Sequence, residues 1–289
     1  MKRYLTLFVF ILFISCNPNK NGTDKDIISV SIAPFKYFVS EIAGGDFDVN
    51  IIVPPGSNPH IYEPYPGQIN NLRKSRAYIS NGFMGFEDAW LGRFYEMNKN
   101  MVRLSLGDSI DPISSGHNHE DGHAEKFDPH FWVSPKCALK IASSVHDLLC
   151  SLNPEEKNRY ESNYYILCSK IIEADSLAES LFSGLANRSF MIYHPNLEYL
   201  ARDYRLKEIA VEFEGKEPPP SRFRELVDMA REEKINTIFI QKEYDTRNAN
   251  AIAGEIGATI TIIDPLSENW IDAVVEIITE LHKSLTGNL

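Results

Sequence analysis

Short apolar runs alternate with amphipathic stretches along this chain from residue 27 onward. Ile27 to Ile32 is a β-branched apolar run, and Phe35, Phe38, Val39 and Ile42 then recur at helical spacing until Gly44-Gly45 stops them. Val49 to Val53 predicts a strand, Pro66 to Lys74 a helix, Ala77 to Ser80 a strand, Phe86 to Met97 a helix and Met101 to Leu104 a strand. The alternation resumes later, with strands at Ser189 to Tyr193, Lys207 to Val211, Asn236 to Ile240 and Thr259 to Ile263. Between and after them come helices starting near Leu197, over Phe223 to Glu233, over Ala249 to Ile256 before Gly257, and over Glu268 to Ser284. Strands separated by helices predict parallel sheets, so the fold class is α/β, with two Rossmann-like lobes at 27–133 and 187–289. A chain of 289 residues is long for a single core, which agrees with two lobes.

Residues 134–186 predict helix throughout and join the lobes. Asn153 reads as an N-cap, Pro154 as the first helical position, and Glu155-Glu156 as acids favouring the positive helix end. Tyr160, Tyr164, Leu167, Ile171, Ala174, Ala178 and Leu181 then form one apolar stripe with no Gly or Pro before Gly184. About 30 residues at about 1.5 Å each reach roughly 45 Å, enough for a long rigid backbone helix running the height of both lobes. The alternative is a helical hairpin packed on one of them.

The ends and the charge add context. Residues 1–16 read as a targeting segment: Lys2 and Arg3 precede an apolar run, Tyr4 to Ile14, that is short for a membrane span. It closes on Phe13-Ile14-Ser15-Cys16, which resembles a bacterial lipobox and implies cleavage before Cys16 with lipid attached there. Residues 17–26 are polar and turn-rich, a tether between lipid and fold. The expected location is therefore extracytoplasmic, anchored by lipid to a bacterial membrane. A net charge of −11 argues against nucleic acid as a partner, since phosphate binding needs a basic face. Cys137, Cys150 and Cys168 lie in the helical connector without metal-ligand spacing and read as buried thiols.

The chemistry concentrates in four loops. His60 in PPGSNPHIYEPYP, His194 in YHPN and Asp264 in IIDPL each lie beyond a predicted strand, where α/β folds place ligands, and His130 lies in DPHFW. Their spacings of 70, 64 and 70 residues exclude a local metal knuckle and suggest a site in the cleft between two similar halves. Three neutral imidazoles and one carboxylate make a tetrahedral set suited to Zn(II), with Mn(II) as the alternative. Four protein ligands leave no position for a reactive water, which separates a carrier from a hydrolase. GxSxG, the phosphate loop and GxGxxG are all absent from the sequence, and the single HExxH spacing, His119 to His123, falls in a glycine-containing loop without the apolar periodicity of the helix that such a motif needs. The reading is therefore not an enzyme; the competing one is a zinc hydrolase with Asp264 as general base. Three more histidines, His117, His119 and His123, sit among acids in the loop 116–125, a composition that binds metal weakly. His146 and His282 fall on helices and read as ordinary side chains.

The segments GSNPHIYEP, DPHFWVSP, YHPNLEYLARDYRL, EGKEPPPSRFRELVDMAREEKINTIFI and IIDPLSENW resemble the ZnuA-like and TroA-like (cluster A-I) metal-binding solute-binding lipoproteins of bacterial ABC importers. The resemblance covers nearly everything after the tether. It implies two α/β lobes joined by a rigid helix, metal between them, delivery to a membrane permease and a monomeric protein. It also implies His60, His130, His194 and Asp264 as the four ligands. Adhesins of the same family are a further reading. Two positions depart from the family pattern: Pro195-Asn196 replaces an acidic-small pair, and Gln241 stands where Glu is common.

Overall fold

The structure, a computed structural model, describes residues 25–60, 62–114, 126–212, 219–244 and 247–287. The leader with Cys16, nearly all of the tether, and the loop histidines His117, His119 and His123 lie outside the described residues.

Two four-stranded parallel sheets form the framework. The first has the order β2-β1-β3-β4, from β1 (Asp26–Ile32), β2 (Phe47–Val53), β3 (Ser75–Ser80) and β4 (Val102–Ser105). The second repeats it as β6-β5-β7-β8, from β5 (Ser189–Ile192), β6 (Lys207–Ala210), β7 (Thr237–Gln241) and β8 (Thr259–Ile263). Helices α1 (Ala33–Ala43), α2 (Pro66–Lys74) and α3 (Gly85–Met97) link the first set; α6 (Glu198–Tyr204), α7 (Pro220–Glu232) and α8 (Arg247–Ile256) link the second, and α9 (Trp270–Thr286) follows it. Strands covered on both faces read as continuous apolar runs, and β1 is buried at every position from Ile28 to Ile32. Helix α1 stops at Gly44, whose φ of +62° costs little without a Cβ and lets its N–H reach the Ser40 carbonyl.

The connector differs in one respect from a single unbroken helix. It consists of α4 (Pro135–Leu152) and α5 (Lys157–Phe182), with a 3-10 turn over Pro154–Glu156 between them. Asn153 therefore precedes that turn rather than capping α5, and its side-chain amide donates to the Tyr160 hydroxyl at 3.3 Å. The 26 residues of α5 still extend for about 39 Å. It packs against α1, α4, α6 and α9, so it touches elements of both lobes. Helices α4 and α5 also pack on each other, so the hairpin and the backbone helix are both present.

The lobes share their core. One continuous apolar cluster runs from β1 and α1 through α4 and α5 to Phe190, Phe239, Ile263 and α9, while a smaller cluster serves the outer part of the second lobe. Two tryptophans fasten the junction. The indole N–H of Trp132 donates to the Pro265 carbonyl at 2.8 Å, and that of Trp270 donates to the Trp132 carbonyl at 2.7 Å. Trp270 also lies against Tyr37 and Phe38 of α1, with ring centroids 6.1 and 5.1 Å away. This pair sits beside His130 on one lobe and Asp264 on the other.

Replacing Trp132 by Phe leaves the buried Pro265 carbonyl without its donor. The expected loss is about 1 to 3 kcal/mol in denaturant unfolding. An unchanged midpoint would show that the indole bond does not tie the lobes.

Candidate metal centre

Each of the three histidines is delivered by a loop whose ends are fixed. His60 lies in the loop after β2, which is bracketed by Gln68 of α2. The Gln68 amide donates to the Ile51 and Ile52 carbonyls at 3.0 and 2.8 Å and accepts the Tyr65 N–H at 2.8 Å. The His60 backbone N–H donates to the Asn58 side chain at 2.9 Å. His194 follows β5 by two residues. Its backbone is gripped by Gln241 at the end of β7, whose amide donates to the His194 carbonyl at 2.5 Å.

His130 is set by a deeper chain of contacts. Asn81, beyond β3, donates its side-chain amide to the Pro129 carbonyl at 2.9 Å. Asn81 is in turn clamped by the buried Glu87 of α3, which accepts the N–H groups of Asn81 and Gly82 at 2.7 and 2.6 Å and the Ser31 hydroxyl. Burial pushes Glu87 up to about 7 even against those three donors. Gly82 is required in this turn: its φ is +96°, and a Cβ there would lie 2.5 Å from the Ser105 hydroxyl.

These loops bring one ring nitrogen from each of His60, His130 and His194 within 4.8 Å of the others. The Nε2 atoms of His60 and His194 are 3.1 Å apart. Two nitrogens on one tetrahedral Zn(II) at about 2.0 to 2.1 Å lie about 3.3 to 3.4 Å apart, so this spacing needs little adjustment to hold a cation. The far side of two rings is occupied by carboxylates. His130 Nδ1 lies 2.7 Å from Asp128, which also accepts the His130 backbone N–H at 2.8 Å. His194 Nδ1 lies 2.5 Å from Glu212. An ionised carboxylate only accepts, so with each carboxylate ionised Nδ1 carries the proton and Nε2 presents a lone pair. Burial raises Glu212 to about 7, and the nearby His60 opposes that shift. Tyr244 stacks on the His194 ring at 5.0 Å and 17°.

Asp264 stands apart from this cluster. Its carboxylate oxygens do not fall within 4.8 Å of all three histidine nitrogens, and one of them lies 3.4 Å from Lys242 Nζ. The Asp264 side chain is about one-third exposed. Gln241 also departs from expectation in role: it holds the His194 backbone, and the carboxylate beside that ring comes from Glu212 instead. Strand register explains why. Ile192 of β5 pairs with Ala210 of β6, so the residues two beyond each, His194 and Glu212, face one another. Asp128 belongs to the DPHFW motif, but its role emerges only from the geometry. His146 and His282 lie on α4 and α9, outside this centre.

The comparisons with known proteins concern the family and the fold. The family model described as zinc-uptake complex component A, periplasmic, matches residues 28–284. The chain belongs to the ZnuA family. ZnuA itself, in a crystal structure, superposes with a TM-score of 0.84 at 31% identity, covering 91% of this chain and all of that one. A zinc-bound ZnuA with residues 138–173 deleted gives 0.82 at 32% identity, covering 90% and 98%. The high-affinity zinc uptake system protein ZnuA of Bacillus subtilis is 25% identical over 92% of this chain and 89% of its own length. The zinc-binding lipoprotein AdcA of Streptococcus pneumoniae is 26% identical over 89% of this chain. The chain spans about half, 53%, of AdcA's length. ZnuA-family members are metal-binding solute-binding proteins, as the motifs implied.

Removing the carboxylate behind His194 tests the aim of that ring. Glu212→Gln is expected to weaken zinc roughly 10- to 100-fold in competition with a chromophoric chelator. Glu212 is raised from 4.5 to about 7, so ionising it costs the metal-free fold stability as pH rises through that window, and a bound cation offsets the cost. Zinc affinity should therefore climb as pH rises toward 7, and this component should vanish in Glu212→Gln. Parallel pH profiles for the two proteins would rule the coupling out.

Proposed function

We propose that this protein captures Zn(II) outside the cytoplasm and hands it to the membrane permease of an ABC-type importer, with His60, His130, His194 and Asp264 as the four ligands. The observation that carries the reading is the convergence of three imidazole nitrogens, two of them 3.1 Å apart, with carboxylates behind two of the rings. Three nitrogen donors favour the borderline-soft Zn(II) over the harder Mn(II), which takes more oxygen ligands. Asp264 supplies the fourth donor by exchanging its contact with Lys242 for the cation. The relatives named for zinc uptake and zinc binding support the cargo, and the family's description as a periplasmic component of an uptake complex supports the location and the permease. Cys16 anchors the monomer by lipid, and the loop 116–125, through His117, His119 and His123, adds weak metal sites. Among the described residues no helix is long and apolar enough to cross a membrane.

Zinc at 1,000 times its dissociation constant is expected to stabilise the fold by about 4 kcal/mol, read as a rise in thermal midpoint that a chelator reverses. The stabilisation should fade below about pH 6 as the imidazoles protonate. Absence of any shift sinks the assigned site. The choice of metal is tested by His194→Glu, which should narrow the ratio of zinc to manganese affinity, while Asp264→Ala should weaken both. A ratio unchanged in His194→Glu would reduce the function to general divalent-metal carriage.

A further inference from the structure

A second pair of soft donors sits on α4, away from the cleft. His146 and Cys150 are one helical turn apart, and the His146 Nε2 lies 3.3 Å from the Cys150 sulfur. Residue 146 is 12 positions past Ser134, the N-cap of α4 next to the His130 turn, which puts this pair about 18 Å along the helix from it. The three-histidine centre therefore cannot include it.

Two further contacts orient the donors. The other ring nitrogen of His146, Nδ1, lies 3.1 Å from Asp147, so the proton sits on Nδ1 and the lone pair of Nε2 points at the sulfur. Tyr164 of α5 stacks on the imidazole with centroids 4.7 Å apart and planes 29° apart, which fixes the ring. The imidazole side chain is only 15% exposed, so this orientation is not a solvent accident. Nitrogen and thiolate bound to one tetrahedral Zn(II), at about 2.0 to 2.1 and 2.3 Å, lie about 3.5 to 3.6 Å apart, close to what is found.

We propose that His146 and Cys150 form a second, bidentate binding clip for a thiophilic divalent cation of the Zn(II) and Cd(II) class, distinct from the cleft. Binding forms a metal–sulfur bond and breaks the S–H bond; the proton leaves to solvent and no electron is transferred. Water completes the coordination, so this clip binds more weakly than a site with four protein ligands. The electrostatic setting suits a cation. Burial raises the Cys150 thiol, Asp147 and Glu161 push it the same way, and Lys157 opposes them. A bare thiolate is disfavoured there, whereas a metal-bound one is neutralised.

The test uses Co(II), because a thiolate ligand gives it a sulfur-to-metal charge-transfer absorption that three imidazoles and a carboxylate cannot. The full chain is first loaded with one equivalent of Zn(II) and then titrated with Co(II). The wild type should develop the sulfur band, Cys150→Ser should lose it, and Cys137→Ser and Cys168→Ser should keep it. His146→Ala should weaken Co(II) at this clip by about 10-fold or more. In parallel, Cd(II) should slow alkylation of Cys150, located by peptide mapping, in the wild type but not in His146→Ala. No sulfur band in the wild type, a band surviving in Cys150→Ser, or alkylation of Cys150 indifferent to Cd(II) would each overturn the proposal. Loss of the cleft zinc alone would leave these readouts in place, so failure here and failure of the cleft assignment are separable.

Discussion

A neutral imidazole offers one lone pair, and three of them can share a cation only if every lone pair is turned inward and no ring is protonated. The molecule answers that constraint by placing an acceptor behind the rings. Asp128 and Glu212 fix the proton on the outer nitrogen of His130 and His194, and the loops around them exist to hold those carboxylates in line. Burial makes the arrangement stricter. In a poorly hydrated cleft an uncompensated carboxylate is costly, so Glu212 is most comfortable ionised when positive charge sits across the imidazole from it.

The same constraint accounts for the duplicated architecture. Parallel strands end together, so the loops beyond them leave from the same end of a sheet, and two sheets of identical strand order each supply loops to the three-histidine cluster. His60 and His130 come from the first lobe and His194 from the second. None could be moved by one residue along its loop without turning its ring away, since each backbone is pinned: His60 to Asn58, Pro129 before His130 to Asn81, and His194 to Gln241.

Much of this was legible in the sequence, for physical reasons. Buried parallel strands leave apolar runs too short for helices, so their order along the chain could be read directly. His60 and His194 follow such runs, and a Pro-rich or Pro-flanked histidine at that place is hard to explain as core. The 3-10 turn at Pro154 was not legible, because Asn-Pro-Glu-Glu is also what a capped α-helix begins with. Glu212 escaped for a different reason: it meets His194 across a strand pair, and the order of strands in a sheet leaves no trace in a single chain. Asp264 shows the converse. Its position after β8 marks it, yet its distance from the histidines depends on a side-chain torsion and on Lys242, which no pattern of residues encodes.

The tryptophan pair across the junction has a bearing on how such a site lets go. Trp132 and Trp270 exchange bonds between lobes that already share one apolar core, so swinging the lobes apart would expose that core and strand two buried carbonyls. A receptor built this way is close to a lock already cut. Capture needs little closure and loses little freedom, which favours tight retention, but the same stiffness removes wide opening as an exit. Discharge then has to act on a single tooth of the lock, and Asp264, the proposed fourth ligand, is paired with an exposed lysine where an outside surface has most leverage.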